Sequence, residues 1–408
     1  FPYDGQTPSW HHRLREQGFQ VDSIGKLHFS GPEHDHGFSQ TIDPLHVVDG
    51  IGDVLGCLRD DGPVRRKRSG ILDAGGGDST YLQYDRRNAD SGVEWLAAHR
   101  DDDKPWALML SFVCPHPPYI CPPEWFDYYA ERDLPLPPQW RQGDWPAHPV
   151  IDHFRRFFDF HPQFEEPQIR RLLAAYYGAC SFLDEQIGRV LTQLEALGLT
   201  QSTRVIYSSD HGEHLGGRGI FGKFSLYDES AAVPMIAAGP DVPQGAVCRT
   251  PTSLVDLYPS IIESVGAESH NDDAGLPGRS LWTIASNPDA QRTVLSEYHA
   301  VGSQHASYMI RDERYKYNHY VGAPAQLFDM VSDPEELNDL AGSADHAEVL
   351  VSLELRLRQI LDPERVDSQA RADQAERVEA MGGEQAVRAR GSFDNSPAPG
   401  EAAAFRKH

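Results

Sequence analysis

Apolar positions recur every three or four residues over 167–197: Ile169, Leu172, Leu173, Tyr176, Tyr177 and Cys180, then Leu183, Ile187, Val190, Leu191 and Leu194. That spacing puts them on one face of a long helix, which Gly198 closes. Shorter helices are predicted over 8–19, 90–100 and 253–265. The run from Pro105 to Val113 is almost wholly apolar, as in a strand buried on both faces of a parallel sheet. Further strands are predicted over 20–24, 203–209 and 233–238. Residues 115–165 are rich in Pro and aromatics without a period and read as an ordered loop region beside a site. After about residue 290 the pattern changes to short strands at 294–298, 306–310 and 315–317, with Asp312-Glu313 at a hairpin turn. This predicts a large α/β domain over 1–290 and a smaller antiparallel α+β subdomain over 291–365. Residues 366–408 form a charged tail, helical over 366–382 and disordered over the last ~15 residues.

Composition narrows the classes. The chain has 408 residues, 39% of them hydrophobic, enough for a sizeable core. Its 37 Lys and Arg against 61 Asp and Glu give a net charge of −24, which repels phosphate backbones and anionic lipid heads. A nucleic-acid partner is therefore not expected. The one basic run, Arg65-Arg66-Lys67-Arg68, reads as a solvated loop. No stretch approaches the ~18 to 20 apolar residues of a membrane span. Five cysteines without a CxxC pair read as reduced thiols, which favours the cytoplasm.

Ligands in a doubly wound sheet bind beyond the carboxyl ends of its strands. Three predicted strands run straight into polar clusters: Gly25-Lys26-Leu27-His28, Cys114-Pro115-His116-Pro117-Pro118-Tyr119 and Asp210-His211-Gly212-Glu213-His214. Gly222-Lys223-Phe224 follows in a glycine-rich loop. Lysines suit the nonbridging oxygens of a sulfate or phosphate, and histidines can bind those oxygens or protonate a leaving group. Asp210 and His211 are adjacent oxygen and nitrogen donors suited to a divalent cation. His34 and His36 read as loop residues, and Gly75-Gly76-Gly77 as a flexible turn.

At these residues the chain resembles the sulfatase family of the alkaline phosphatase superfamily. Gly25-Lys26-Leu27-His28 is similar to the family's Gly-Lys-Trp-His element, and Pro115-His116-Pro117-Pro118-Tyr119 to its Pro-His-x-Pro-Tyr element. Ser209-Asp210-His211-Gly212-Glu213, with Gly222-Lys223 and Pro234 downstream, resembles its Ser-Asp-His-Gly-Glu stretch. Gln326-Leu327-Phe328-Asp329 with Asp333-Pro334-Glu335-Glu336 resembles its C-terminal pattern. The resemblance implies a doubly wound mixed sheet of the alkaline phosphatase-like type. It also implies that Asp210 and His211 hold one divalent ion, Ca²⁺ or Mn²⁺. Lys26, His28, His116 and Lys223 would then bind sulfate and serve the nucleophile or leaving group. His211, where many sulfatases carry Asn, looks more like the choline-sulfatase and phosphonate-monoester-hydrolase branch.

One departure bears on mechanism. The family's Asp-Asp pair and its Cys/Ser-x-Pro-Ser-Arg, source of the formylglycine nucleophile, do not occur in the 25 residues before Lys26. The chain also opens on Phe1 without a Met. The expectation is a chain lacking the first ~70 to 90 residues of the fold, including its first strand. A periplasmic address stays open on the same ground, as does a homo-oligomer. The function expected of the whole protein is hydrolysis of small-molecule sulfate esters. The alternatives are a phosphonate monoester or phosphodiester hydrolase, and a noncatalytic binding protein of the same fold. Tyr119, Trp125, His299 and His305 are candidate walls for the organic part of a substrate.

Overall fold

A computed structural model describes residues 2–407. Its centre is the strand Gln20–Lys26, with an almost wholly buried interior. It pairs in parallel with Gln40–Leu45 on one side and with Trp106–Ser111 on the other. The helix Thr80–Ala98 makes the crossover between those flanking strands. Ser79 caps it by accepting the Leu82 N–H at 3.2 Å. It starts ten residues before the predicted 90, because Tyr81, Leu82, Tyr84 and Ala89 already face the core. The long predicted helix forms as Glu166–Ala196.

The strand predicted at 203–209 forms as Val205–Ser208 and pairs antiparallel with Met235–Ala238. Among the described residues it does not join the three-stranded sheet. Trp106–Ser111 and Val205–Ser208 therefore each carry one unpaired edge among those residues. Trp106, Leu108, Leu110 and Val205 nevertheless share an apolar cluster with Ile24, Trp95 and Leu194.

Residues 115–165 contain two helices that periodicity did not reveal, Pro123–Ala130 and Pro149–Phe157. The second leads into an aromatic core of Phe154, Phe158, Phe160 and Phe164, and Phe224 stacks on Phe158 at 3.9 Å. The glycines at 75–76 are a strand rather than a flexible turn. Gly75–Gly76 pairs in parallel with Ile120–Cys121. A Cβ at Gly76 would lie 3.1 Å from Phe126 Cβ and 3.2 Å from the Pro123 Cα, so a side chain there would press against the next helix.

The C-terminal sheet has four strands, not three, in the order Ala323–Asp329, Tyr315–Tyr320, Ser307–Arg311, Val294–Tyr298. Asp312 makes the expected turn by accepting the N–H groups of Arg314 and Tyr315. Helix Ala347–Ile360 buries Leu353 and Leu357 against this sheet.

Two expectations about the surface are overturned. Residues 391–406 are ordered: Ser392 and Arg406 exchange backbone hydrogen bonds, and Ser396 and Ala398 are buried. The basic run is no solvated loop either. Arg65 is buried against Asp53, Arg68 lies over the Phe164 ring, and Lys67 faces Asp394 of the tail. No described helix is long and apolar enough to cross a membrane.

Candidate active site

The carboxyl end of Gln20–Lys26 starts the site. Gly25 has a φ of +94°, and a Cβ there would lie 2.0 Å from the Ser111 carbonyl. The chain can turn out of the sheet here only with glycine, and that turn delivers Lys26. The N–H groups of Leu27 and His28 both donate to the Leu45 carbonyl, at 3.1 and 2.8 Å, which fixes His28 beside it.

His116 follows Trp106–Ser111. Buried Asp85 accepts the N–H groups of Val113 and Cys114, and the His116 N–H returns to the Val113 carbonyl at 3.0 Å. Burial raises the Asp85 carboxyl to about 6 despite those donors. On the far side of the loop, Gly75 and Gly77 donate to the carbonyls of Tyr119 and Cys121. The His116 loop is thus anchored at both ends.

Asp210 and His211 leave Val205–Ser208 directly. Glu213 is the tie between this loop and Lys223: its buried carboxylate accepts the N–H of Gly222 at 2.6 Å and that of Leu215 at 3.1 Å. Tyr119 also bonds to it. Burial outweighs those donors and pushes the Glu213 carboxyl up.

These loops converge. Lys223 Nζ lies 2.6 Å from His211 Nε2, Lys26 Nζ 3.6 Å from an Asp210 oxygen, and the His116 and His211 rings 6.5 Å apart. Lys26, His28, His116, His211 and Lys223 line one cavity of about 550 Å³, with Asp210 at its edge. Six Lys or Arg side chains line it against four carboxylates, so an acidic chain encloses a cationic cavity. A second cavity, of about 600 Å³ beside the 312–315 hairpin, contains none of these groups.

The electrostatics follow from crowding cations in a buried place. Burial opposes ionisation of Asp210, but Lys26, His211 and Lys223 hold its carboxyl at about 2. Burial, then Lys26 and Lys223, lowers His28 to about 4. Burial, then Lys223 and Lys26, lowers His116 well below the usual range, and burial with Lys223 lowers His211. Lys223 itself falls to about 8, chiefly through burial. The two rings beside Lys223 are neutral near pH 7. His116 Nδ1 lies 2.8 Å from the Pro117 carbonyl and His211 Nδ1 2.8 Å from that of Gly212, so each ring keeps its proton there. His211 Nε2 then accepts from Lys223 Nζ, and the His116 Nε2 lone pair is left to accept.

Not every expected residue arrives. His299 does not line the cavity; its Nε2 lies 3.2 Å from Glu297 and its carbonyl accepts from Gln374. His305 bonds to the Val321 carbonyl, and Trp125 packs in the cluster around Phe182. Tyr119 does line the cavity. Lys67, Tyr81, Asp394, Ser396 and Arg406 also line it and were not expected. The basic character of 65–68 was the one visible signal for Lys67.

A family model described as Sulfatase matches residues 8–267, and a second, N-sulphoglucosamine sulphohydrolase C-terminal, matches 212–362. The first spans well over half of the chain. The chain belongs to the sulfatase family. It is 29% identical over 401 residues to the choline-sulfatase of Rhizobium meliloti (strain 1021), covering 92% of this chain and 76% of that protein. It is 26% identical over 389 residues to arylsulfatase K of Xenopus laevis, covering 90% of this chain and 70% of the relative. In fold it resembles the phosphonate monoester hydrolase of Silicibacter pomeroyi, with a TM-score of 0.68 and 23% identity over 89% of this chain and 83% of that one. It also resembles a protein solved in complex with its substrate D-glucosamine-2-N,6-O-disulfate, with a TM-score of 0.64, 20% identity and coverage of 91% and 84%.

A divalent cation of the expected kind needs about six donors. Asp210 and His211 supply two, and no group of three or more His, Cys, Asp or Glu among the described residues could hold a metal. Lys26 and Lys223 already face those two donors. These residues alone do not make a divalent-metal site.

Proposed function

We propose that the cavity binds the sulfate group of sulfate monoesters and supports their hydrolysis. The observation that carries this reading is the convergence of Lys26, Lys223, His28 and His116 on one cationic cavity at the strand ends. Two ammonium groups offer charge to the nonbridging oxygens. An anion brought against His28 and His116 favours their protonated forms, so each can take up a proton as substrate binds. A proton held at Nε2 can then pass to the departing alkoxide, which is general acid catalysis. Asp210 keeps Lys26 in place, and Glu213 keeps Lys223 in place through Gly222.

The formylglycine and the Ca²⁺ or Mn²⁺ implied by the family resemblance would supply the attacking oxygen and further charge stabilisation. They need a nucleophile and carboxylates that are not among the residues gathered here. The unpaired edges of Trp106–Ser111 and Val205–Ser208 support a further strand as their carrier. Steady-state kinetics on 4-nitrophenyl sulfate, bis(4-nitrophenyl) phosphate and a phenylphosphonate monoester test the reading. The largest kcat/KM is expected on the sulfate ester. The fold likeness to a phosphonate monoester hydrolase favours one alternative, and a preference for either phosphorus ester would establish it. Intact protein that binds sulfate esters without turnover would instead be a binding protein.

A further inference from the structure

The cavity has a second cationic centre. Arg65 is locked by Asp53 and by its N–H to the Phe157 carbonyl at 2.7 Å, and the Lys67 N–H then donates to the Arg65 carbonyl at 2.8 Å. This fixed turn sends Lys67 into the same cavity as Lys223. Burial lowers the Lys67 amine, and Lys67 in turn depresses Lys223. Two lysines so placed repel each other unless something anionic sits with them.

What sits with Lys67 is a carboxylate of the tail. Asp394 Oδ1 lies 3.7 Å from Lys67 Nζ, and its Oδ2 lies 2.7 Å from Arg406. Two residues on, Ser396 Oγ lies 2.7 Å from His28 Nε2, and the Ser396 carbonyl accepts the Tyr81 hydroxyl. The tail thus lays a carboxylate on Lys67 and a hydroxyl on His28 at once.

We propose that Lys67 is the centre of a second anion subsite, filled by Asp394 in the free protein, that takes the second negative group of a dianionic sulfate ester. The substrate class is then an organic sulfate that also carries a carboxylate or another sulfate. This rests on the sulfate-ester reading of the first site. A substrate anion replaces the Asp394 carboxylate on Lys67, and its sulfate replaces the Ser396 hydroxyl on His28. No covalent step is involved.

Calorimetric titration of the full chain at low ionic strength tests this with two nonhydrolysable probes, benzylsulfonate and 4-carboxybenzylsulfonate. The carboxylated probe is expected to bind ~10-fold tighter, the worth of one charge-assisted contact. Lys67→Met should erase that ratio, and Lys67→Arg should restore part of it. Asp394→Asn, which removes the internal competitor, should widen the ratio. Lys223→Ala should weaken both probes. If benzylsulfonate binds through Lys223 but the ratio ignores Lys67 and Asp394, the subsite is overturned and Lys67 is only a tail anchor. If benzylsulfonate does not bind, or binds without regard to Lys223, the sulfate-ester reading falls and the subsite falls with it.

Discussion

Two walls of one cavity are built in opposite ways. The strand-end wall holds Lys26, His28, His116, Asp210, His211 and Lys223 on short loops. Each loop is pinned by hydrogen bonds within the α/β domain, such as Asp85 to Val113 and Glu213 to Gly222. The opposite wall joins Lys67, Tyr81 and His28 to a tail more than three hundred residues later, through Lys67 to the Asp394 carboxylate and carbonyl, Tyr81 to the Ser396 carbonyl and His28 to the Ser396 hydroxyl. The first wall is rigid because backbone donors and buried carboxylates fix it. The second mixes half-exposed pairs such as Lys67 with Asp394, worth ~1 kcal/mol or less, with buried contacts such as the Tyr81 hydroxyl on the Ser396 carbonyl. The wall we propose for the sulfate group is preorganised within one domain, and the wall we propose for the second anion depends on contacts from a distant part of the chain.

The largest expected effect tests the first wall at its centre. In catalytically competent protein, Lys223→Ala should lower kcat/KM by ~10²-fold or more, the cost of removing one preorganised charge contact. Lys104→Ala, on an exposed loop, should leave it unchanged. Equal losses in the two variants would take Lys223 out of the site. Lys67 is unsuitable as that control because it lines the cavity.

Next comes the support under that wall. The Asp85 carboxyl keeps its proton up to about 6 in the folded chain, against 3.8 ordinarily. Between those values the folded state binds more protons than the unfolded. Its contribution is fully present below about pH 4 and is lost as pH rises through about 6, amounting to ~2–3 kcal/mol. Urea unfolding at pH 4 and pH 7 should show that slope in the parent and a flatter one in Asp85→Asn. An unchanged slope would mean that Asp85 is ionised throughout.

The smallest effect sharpens the contrast. Ser396→Ala removes one hydroxyl contact and should cost ~1 kcal/mol or less in global stability. Amide exchange over residues 391–406 should quicken while that of Gln20–Lys26 stays slow. If the variant instead lost activity on the scale of Lys223→Ala, the two walls would be one unit.

The same contrast governs what could be read from the sequence. Strands and the long helix announce themselves by period, polar clusters at the strands' carboxyl ends mark Lys26, His116 and His211, and Lys223 stands in the glycine-rich loop that follows. Gly75–Gly76 has no side chains to make a pattern. Ala323–Asp329 carries Pro324, which a strand tolerates here because it lies at the edge of its sheet. The tail reads as polar and charged because its partners (Lys67, His28, Tyr81) are contributed from far away. His299 reads as a candidate wall because a His near the rim could contact an organic group, but its Nε2 faces Glu297 and its carbonyl accepts from Gln374 outside the cavity.

The strand edges left unpaired among the described residues also bear on how concentrated a solution of this chain can become. A net charge of −24 keeps molecules apart only within about a Debye length, ~8 Å at physiological salt, and added salt shortens that reach. Once the repulsion is screened, the open edges of Trp106–Ser111 and Val205–Ser208 offer backbone donors and acceptors to any other strand, including those of a second molecule. Salt should therefore promote association rather than suppress it, and a peptide that pairs with those edges should act as a solubiliser without touching a single charge.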